Sequence, residues 1–121
     1  MGMISEIENW PHAALQNRIK QNLRKMFQSY NALKSPQRSR LDQLIIRHRD
    51  YCLRESNDQY IREHNSFILH YVNGMSTKNT ALSQVLSRRT VYKDIDAVLD
   101  RMLVYMLGFY GIRWDAKTKN K

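Results

Sequence analysis

Apolar residues recur every three or four positions along most of this chain, which is the period of an α-helix with one buried face. The first such stretch covers residues 12–33. Its apolar positions are Leu15, Ile19, Leu23, Met26, Phe27, Tyr30 and Leu33. Residues 1–11 are expected to be a loosely ordered lead, because Pro11 is suited to the first turn of a helix. The pattern therefore predicts a first helix that begins near His12.

Two more amphipathic helices are predicted before residue 74. Ser35 followed by Pro36 is typical of a helix start, with the serine as N-cap, and this helix extends to about residue 54. Its apolar stripe consists of Leu41, Leu44, Ile45, His48, Tyr51 and Cys52. Another helix spans about residues 59–72 and ends at Gly74, because glycine readily adopts the left-handed conformation that terminates helices. Residues 12–73 are thus expected to form supporting helices.

Residues 75–99 have the pattern of two helices joined by a tight turn. Ser76 is a good N-cap for a short helix, and Ser87 is a good N-cap for the helix that follows. Serine caps helices because its oxygen accepts a hydrogen bond from a free amide N–H of the first turn. Residues 85–87 form the turn between them. This arrangement predicts a helix-turn-helix, the unit that places its second helix in the major groove of DNA.

The second of these helices has two different faces. At 100° per residue, Val91, Ile95 and Val98 share the face expected to be buried. The opposite face has Arg89 and Lys93, with Thr90, Tyr92 and Asp96 nearby. Arginine and lysine pair well with guanine O6 and N7, and residues 65–93 contain no Asp or Glu that would repel phosphate. The alternative is an ordinary capped surface helix whose charges are only solvated.

The sequence SRRTVYKDI, at residues 87–95, resembles the recognition helix of winged and sigma-type helix-turn-helix regulators. Over residues 30–115, the layout is similar to that of phage-type transcriptional regulators of the ArpU and RinA families. This resemblance implies a sequence-specific, phage- or prophage-encoded transcriptional regulator that binds double-stranded DNA. The DNA-contacting residues that it implies are Ser76, Thr77, Lys78, Asn79, Ser87, Arg88, Arg89, Thr90, Tyr92 and Lys93. One departure is at the end of the first helix, where these motifs prefer an apolar residue and then glycine, and this chain has Gln84 and Val85.

Residues 100–114 are apolar on almost every side, and they are expected to continue the second helix as an apolar C-terminal helix. A helix of this kind has to be covered from several directions. A second copy of the chain could provide part of that cover, which leads to the hypothesis of a homodimer. The candidates for the core or the dimer contact are Leu99, Met102, Leu103, Met106, Phe109 and Tyr110.

Composition narrows the classes of partner. The chain has 121 residues, enough for a single domain, and its net charge of +9 favours a polyanion such as nucleic acid. A membrane partner is not expected, because the most apolar run, residues 102–112, is shorter than the roughly 20 residues that a membrane span needs. Cys52 is the only cysteine, so no disulfide framework is possible, and a reducing cytoplasm fits.

Residue patterns typical of catalysis are missing. The four glycines are scattered and form no phosphate-binding loop, and no catalytic triad or carboxylate pair is evident. The four histidines are never three or four residues apart, so no metal site and no cofactor are expected. His48 is interpreted as a boundary histidine with a hydrogen bond, and Cys52 as a small buried residue with no His or acid to activate it. The sequence therefore predicts a non-enzyme.

Together these patterns predict an all-α protein, a single domain over residues 1–121. It is a helical bundle with a C-terminal helix-turn-helix whose recognition helix extends into the apolar C-terminal helix. The leading functional prediction is a transcriptional regulator that reads double-stranded DNA. Two alternatives remain open: a protein-interaction module that docks on RNA polymerase, and a small packaging protein that recognises phage DNA.

Overall fold

The computed structural model describes residues 2–107, and for residues 2–13 it describes the backbone alone. The α-helices of this part are α1 (Gly2–Gln28), α2 (Gln37–Glu55), α3 (Asp58–Phe67), α4 (Thr77–Gln84) and α5 (Arg88–Leu107). A short 3₁₀ helix (Tyr30–Ala32) follows α1, and a π-helical turn (Ile68–Val72) follows α3. No strand occurs between residues 2 and 107, so the predicted all-α fold class is confirmed there.

Helix α1 begins at Gly2, whereas the sequence led us to expect a loose lead up to Pro11. The preference of proline for the first turn of a helix is a tendency and not a requirement. Residues 3–10 contain neither glycine nor proline, so nothing in their backbone opposes a helix before Pro11. Pro11 removes one main-chain donor, and the helix continues on both sides of it.

Helices α2 and α3 differ in detail from their predicted ends. Pro36, not Ser35, occupies the N-cap position of α2, and the Ser35 hydroxyl pairs with the Ser39 hydroxyl at 2.9 Å. The Ser35 oxygen is therefore not the predicted cap. Asn57 caps α3, because its side-chain oxygen accepts a hydrogen bond from the Tyr60 amide at 3.0 Å. Gly74 has a φ of +72°, as expected for a residue that ends a helical segment.

Helix α5 is the central element of the core and packs on α1, α2, α3 and α4. The rings of Phe27 and Phe67 meet edge to face at 4.7 Å, and the Tyr71 ring lies 5.0 Å from that of Phe67. Around them the core includes Leu23, Leu41, Val91, Ile95, Val98, Leu99 and Met102. Burying each large apolar side chain contributes roughly 1.5–3 kcal/mol, so these contacts fix the position of α5.

The predicted core and dimer candidates fall into two groups. Leu99, Met102 and Leu103 are buried within the chain itself, whereas Met106 is exposed. Helix α5 continues without a break through residues 100–107, while Phe109, Tyr110 and the rest of the predicted 100–114 helix lie outside the described residues. Among the helices that the structure describes, none has a sufficiently long and apolar stretch to cross a membrane.

His48 is fully buried and is therefore not the boundary histidine that the sequence led us to expect. Its ring stacks on that of His64, the Cys52 sulfur lies 3.6 Å from His48 Nδ1, and Arg101 approaches His48 Nε2 at 3.1 Å. Cys52 thus has a histidine beside it, against expectation. Burial lowers the pKa of His48 to about 3 and also lowers that of His64. These polar neighbours explain how imidazole rings can lie in the core.

Candidate nucleic-acid interface

The turn between α4 and α5 consists of residues 85–87. Val85 has a φ of +57°, in the left-handed region where glycine is usual, and its side chain is 90% exposed. The Leu86 amide donates to the Ala81 carbonyl at 2.8 Å, which closes the end of α4. The departure at Gln84 and Val85 therefore does not prevent a tight turn, although valine adopts this backbone at a cost in energy.

Both helices begin with the serine caps that the sequence predicts. Ser76 Oγ accepts from the Asn79 amide at 3.0 Å, and Ser87 Oγ accepts from the Thr90 amide at 3.1 Å. The Ser87 and Thr90 hydroxyls also pair at 2.9 Å. The other first-turn amides of a helix remain available to ligands and carry partial positive charge. Each helix start can therefore accept an anion such as a phosphate.

The two faces of α5 lie as the spacing predicts. Val91, Ile95 and Val98 are buried against the rest of the chain. Arg89 and Lys93 are exposed on the other side. Within the described side chains, no carboxylate lies within ion-pair distance of either residue, and the same holds for Lys78 and Arg88. This surface is thus basic and free to meet an anionic partner.

Tyr92 connects the starts of the two helices. Its hydroxyl lies 3.2 Å from Thr77 Oγ1, while more than half of its side chain remains exposed. Hydrogen bonds from Thr77 and then Arg88 lower the pKa of Tyr92. The tyrosine therefore holds the first turn of α4 beside the first turn of α5, and its ring belongs to the same basic surface.

The ten predicted contact residues lie on this one α4–turn–α5 segment. Eight are exposed, namely Ser76, Lys78, Asn79, Ser87, Arg88, Arg89, Tyr92 and Lys93, and Thr77 and Thr90 are partly covered. The structure directly links Thr77 with Tyr92 and Ser87 with Thr90. We name this surface, made of these ten residues, the basic face.

Asp96 does not belong to the basic face, although the sequence placed it near Arg89 and Lys93. Lys20 Nζ approaches its carboxylate at 2.8 Å and Arg24 Nη2 at 2.9 Å. Partial burial alone would raise the pKa of Asp96, but the hydrogen bonds from Lys20 and Arg24 lower it below its usual value. Asp96 therefore ties α5 to α1, and its charge is balanced inside the protein.

Asp94 connects α5 to α3, whereas Asp96 connects it to α1, and the sequence did not predict this role of Asp94. Its buried carboxylate accepts hydrogen bonds from Arg62 and, at 2.9 Å, from Ser66 Oγ. The Gln84 amide group, at the end of α4, donates to Ser66 Oγ and to the Arg62 carbonyl, both at 3.0 Å. The spacing of Arg62 and Ser66, one turn apart on α3, was the only signal available in the sequence. This network joins α3, α4 and α5 beneath the basic face.

Comparisons of the chain with protein-family models, with curated proteins and with solved structures found no match. The resemblance to ArpU and RinA regulators therefore remains a prediction based on residues 87–95 and on the layout of the helices.

Proposed function

We propose that this protein binds double-stranded DNA in a sequence-specific manner and regulates transcription. In this proposal α4, the turn and α5 act as a helix-turn-helix, and the first turns of α5 enter the major groove. The observation that carries the proposal is that one face of α5 is buried and apolar while the other is exposed and basic. Val91 and Ile95 anchor the helix inward, while Arg89 and Lys93 extend outward from an acid-free segment.

Some residues of the basic face are suited to contact bases, and others are suited to contact phosphates. Arg89 and Lys93 would donate to guanine O6 and N7 in the groove. Thr90 and Tyr92 would add a methyl group, a hydroxyl or ring contacts. Contacts to the DNA backbone set register and orientation, and would come from Ser76, Thr77, Lys78, Asn79, Ser87 and Arg88, aided by the free amides at the helix starts.

The supporting contacts of α5 favour this role, because base readout needs side chains on a rigid element. The Asp94 network holds α5 to α3, and the ion pairs of Asp96 hold α5 to α1. Both sets of contacts lie within two turns of Arg89. A helix fixed in this way would present Arg89 and Lys93 in one orientation.

A second candidate function is a protein-interaction module, with RNA polymerase as one partner that fits. Leu82 and Val85 favour it, because these apolar side chains are 69% and 90% exposed at the end of α4 and in the turn. Exposed apolar residues beside a basic surface are suited to contact with another protein. In that case the protein would show little DNA sequence preference of its own.

Selection of bound duplexes from a random pool distinguishes the two candidates. A regulator enriches a defined motif, whereas an interaction module enriches none.

With the selected duplex, we expect Arg89→Ala to weaken binding by about 1–3 kcal/mol and to relax specificity at one base pair. Lys78→Ala should weaken binding to all duplexes alike. Arg54→Ala, which removes an exposed arginine near the end of α2, is the matched control. Binding by Arg89→Ala as tight as by the wild type, at the same salt concentration, would rule out the assigned face.

We further propose that the protein acts as a homodimer, which would suit an operator with two half-sites. Val104 and Met106 support this, because both are about half exposed on the C-terminal part of α5. Size-exclusion chromatography with light scattering at tens of micromolar protein tests it. We expect a dimer for the wild type and a shift towards monomer for Val104→Lys, and a monomeric wild type would refute it.

A further inference from the structure

Three side chains with metal-binding atoms meet in the interior, away from the basic face. His48 and Cys52 lie one turn apart on α2, and His64 reaches them from α3. The Nδ1 atoms of the two histidines are 2.8 Å apart, and the Cys52 sulfur is 3.6 Å from His48 Nδ1. The potential ligand atoms of all three residues lie within 4.8 Å of one another, and all three residues are buried.

The hydrogen bonds around the two rings determine how their protons are arranged. Arg101 lies 3.1 Å from His48 Nε2, and a guanidinium group can only donate, so His48 Nε2 accepts. His48 Nδ1 must then carry the proton, which it donates to His64 Nδ1. The Cys52 thiol donates to the Tyr60 carbonyl at 3.4 Å. Two neutral imidazoles and one thiol thus converge on one point, and neutral imidazole is the form that binds metal.

We propose that His48, Cys52 and His64 form a binding site for a thiophilic divalent cation, with Zn²⁺ as the ion that fits best. Zinc takes nitrogen and sulfur ligands in a tetrahedral arrangement, with bonds of about 2.0–2.1 Å to nitrogen and about 2.3 Å to sulfur. Such bonds place neighbouring ligand atoms about 3.3–3.6 Å apart.

Two of the three distances between ligand atoms are close to those that a tetrahedral zinc site needs. The distance from Cys52 Sγ to His48 Nδ1, 3.6 Å, already matches, and the two nitrogens would have to separate by about half an ångström from their 2.8 Å contact. The ligand atoms of Cys52 and His64, which lie within 4.8 Å of each other, would have to be about 3.5 Å apart in the site. Small side-chain rotations of His48 and His64 can provide that change. The residue types, their number and their spacing therefore fit a mononuclear zinc site with three protein ligands.

A neighbouring cavity gives a metal ion access to the three residues and has room for water as a fourth ligand. It measures about 420 Å³ and is lined by Cys52 and His64 together with Arg49 and Asn65. Water in this cavity could complete the coordination of the ion, as in zinc sites with three protein ligands. The bound ion would link α2 to α3, the helix that packs on α5.

Binding of the ion releases one proton from the site and shifts a second one within it. Zinc displaces the Cys52 thiol proton, which leaves to solvent, and the His48 proton moves from Nδ1 to Nε2 as Nδ1 binds the ion. Because Nε2–H and the guanidinium are both donors, Arg101 then has to turn away from His48, but it keeps Glu63, whose carboxylate it contacts at 2.6 Å. The thiolate offsets part of the charge of the ion, and the Glu63–Arg101 pair is neutral in sum.

The test uses the full chain, stripped of metal with a chelator and then titrated with Co²⁺ as a spectroscopic probe for zinc. Because Cys52 is the only cysteine, a thiolate-to-cobalt charge-transfer band identifies its sulfur as a ligand. We expect this band to saturate at one equivalent of Co²⁺ and to disappear when Zn²⁺ is added. Cys52→Ser should abolish the band, and His64→Asn should weaken binding by more than about tenfold.

His70→Asn is the matched control, because His70 contacts the Met75 carbonyl outside the cluster, and it should leave the titration unchanged. Circular dichroism of each variant shows whether the helices persist. A wild-type chain that gives no thiolate-to-cobalt band overturns the proposal without any variant. Cobalt binding that survives Cys52→Ser unchanged also overturns it, since the ion would then lie elsewhere.

Discussion

The guanidinium of Arg62 holds the buried carboxylate of Asp94 through two hydrogen bonds, 2.7 Å from Nη2 and 3.2 Å from Nε. Only 1% of the Asp94 side chain is exposed, whereas the Arg62 side chain is 37% exposed. Paired hydrogen bonds of this type fix the relative orientation of their groups as well as their distance. The pair therefore fixes the orientation of α5 on α3 at a position about two turns from the start of α5.

Replacing Asp94 with asparagine should destabilise the fold by about 1–3 kcal/mol, because a charged hydrogen-bond acceptor is lost from a buried site. The asparagine NH₂ group would also face Arg62 and Ser66, which both donate to the native carboxylate. Urea unfolding followed by circular dichroism measures the change. Asp100→Asn is the control, since Asp100 is exposed and, among the described side chains, pairs only with Lys20, and it should cost no more than about 1 kcal/mol. Equal losses in the two variants would contradict this account of Asp94.

Local patterns in the sequence predicted the parts of the fold that depend on near neighbours along the chain. The burial of Val91, Ile95 and Val98 follows from helical period, and the caps at Ser76 and Ser87 need only a serine and an amide three residues later. The left-handed residue at Gly74 is likewise a local requirement. Helix period and capping chemistry predicted these features, although the same reasoning about caps was wrong at Ser35.

Three of the missed features depend on contacts between helices. Asp94 can be buried because Arg62 of α3 pairs with it. Asp96 does not belong to the basic face because Lys20 and Arg24 of α1 pair with it. The His48 cluster requires His64 from a different helix, and no spacing within α2 indicates that residue. Packing between elements determines these positions, and a single sequence contains no direct signal for it.

Val85→Gly should stabilise the protein by about 1 kcal/mol, because an L-residue in the left-handed conformation costs about 1–2 kcal/mol that glycine avoids. Part of this gain is offset, since glycine has more freedom in the unfolded chain. The Val85 side chain is almost fully exposed, so little packing is lost. Thermal unfolding should show a higher Tm.

Gln43→Gly is the control for Val85→Gly, because it introduces a glycine at an exposed position inside α2, away from the basic face and from the proposed dimer contact. Glycine in a helix interior is unfavourable, so this variant should lose about 0.5 kcal/mol. A lower Tm for both variants would show that the backbone at Val85 is not the source of strain.

Tyr92 should ionise before Tyr30, Tyr71 and Tyr105 as pH rises. Its pKa is lowered by hydrogen bonds with Thr77 and Arg88, which favour the phenolate, whereas burial raises the pKa of Tyr30, Tyr71 and Tyr105. Ultraviolet absorbance titration of phenolate formation measures this order. Tyr92→Phe should remove the earliest step, and Arg88→Ala should move that step to higher pH. An unchanged first step in Tyr92→Phe would refute the assignment.

If the protein binds duplex DNA as proposed, the salt dependence of binding separates residues that contact phosphate from those that read bases. Each phosphate contact in duplex DNA contributes about −0.9 to the slope of log K against log salt concentration. Lys78→Ala should therefore make the slope less steep by about 1, because Lys78 is exposed at the start of α4 and is assigned to the DNA backbone. Arg54→Ala should leave the slope unchanged, since Arg54 lies near the end of α2, outside the basic face. Filter binding or fluorescence anisotropy over a series of salt concentrations measures both slopes. If the Lys78→Ala slope equals that of the wild type, the start of α4 does not contact phosphate, and the orientation proposed for α5 in the groove must change.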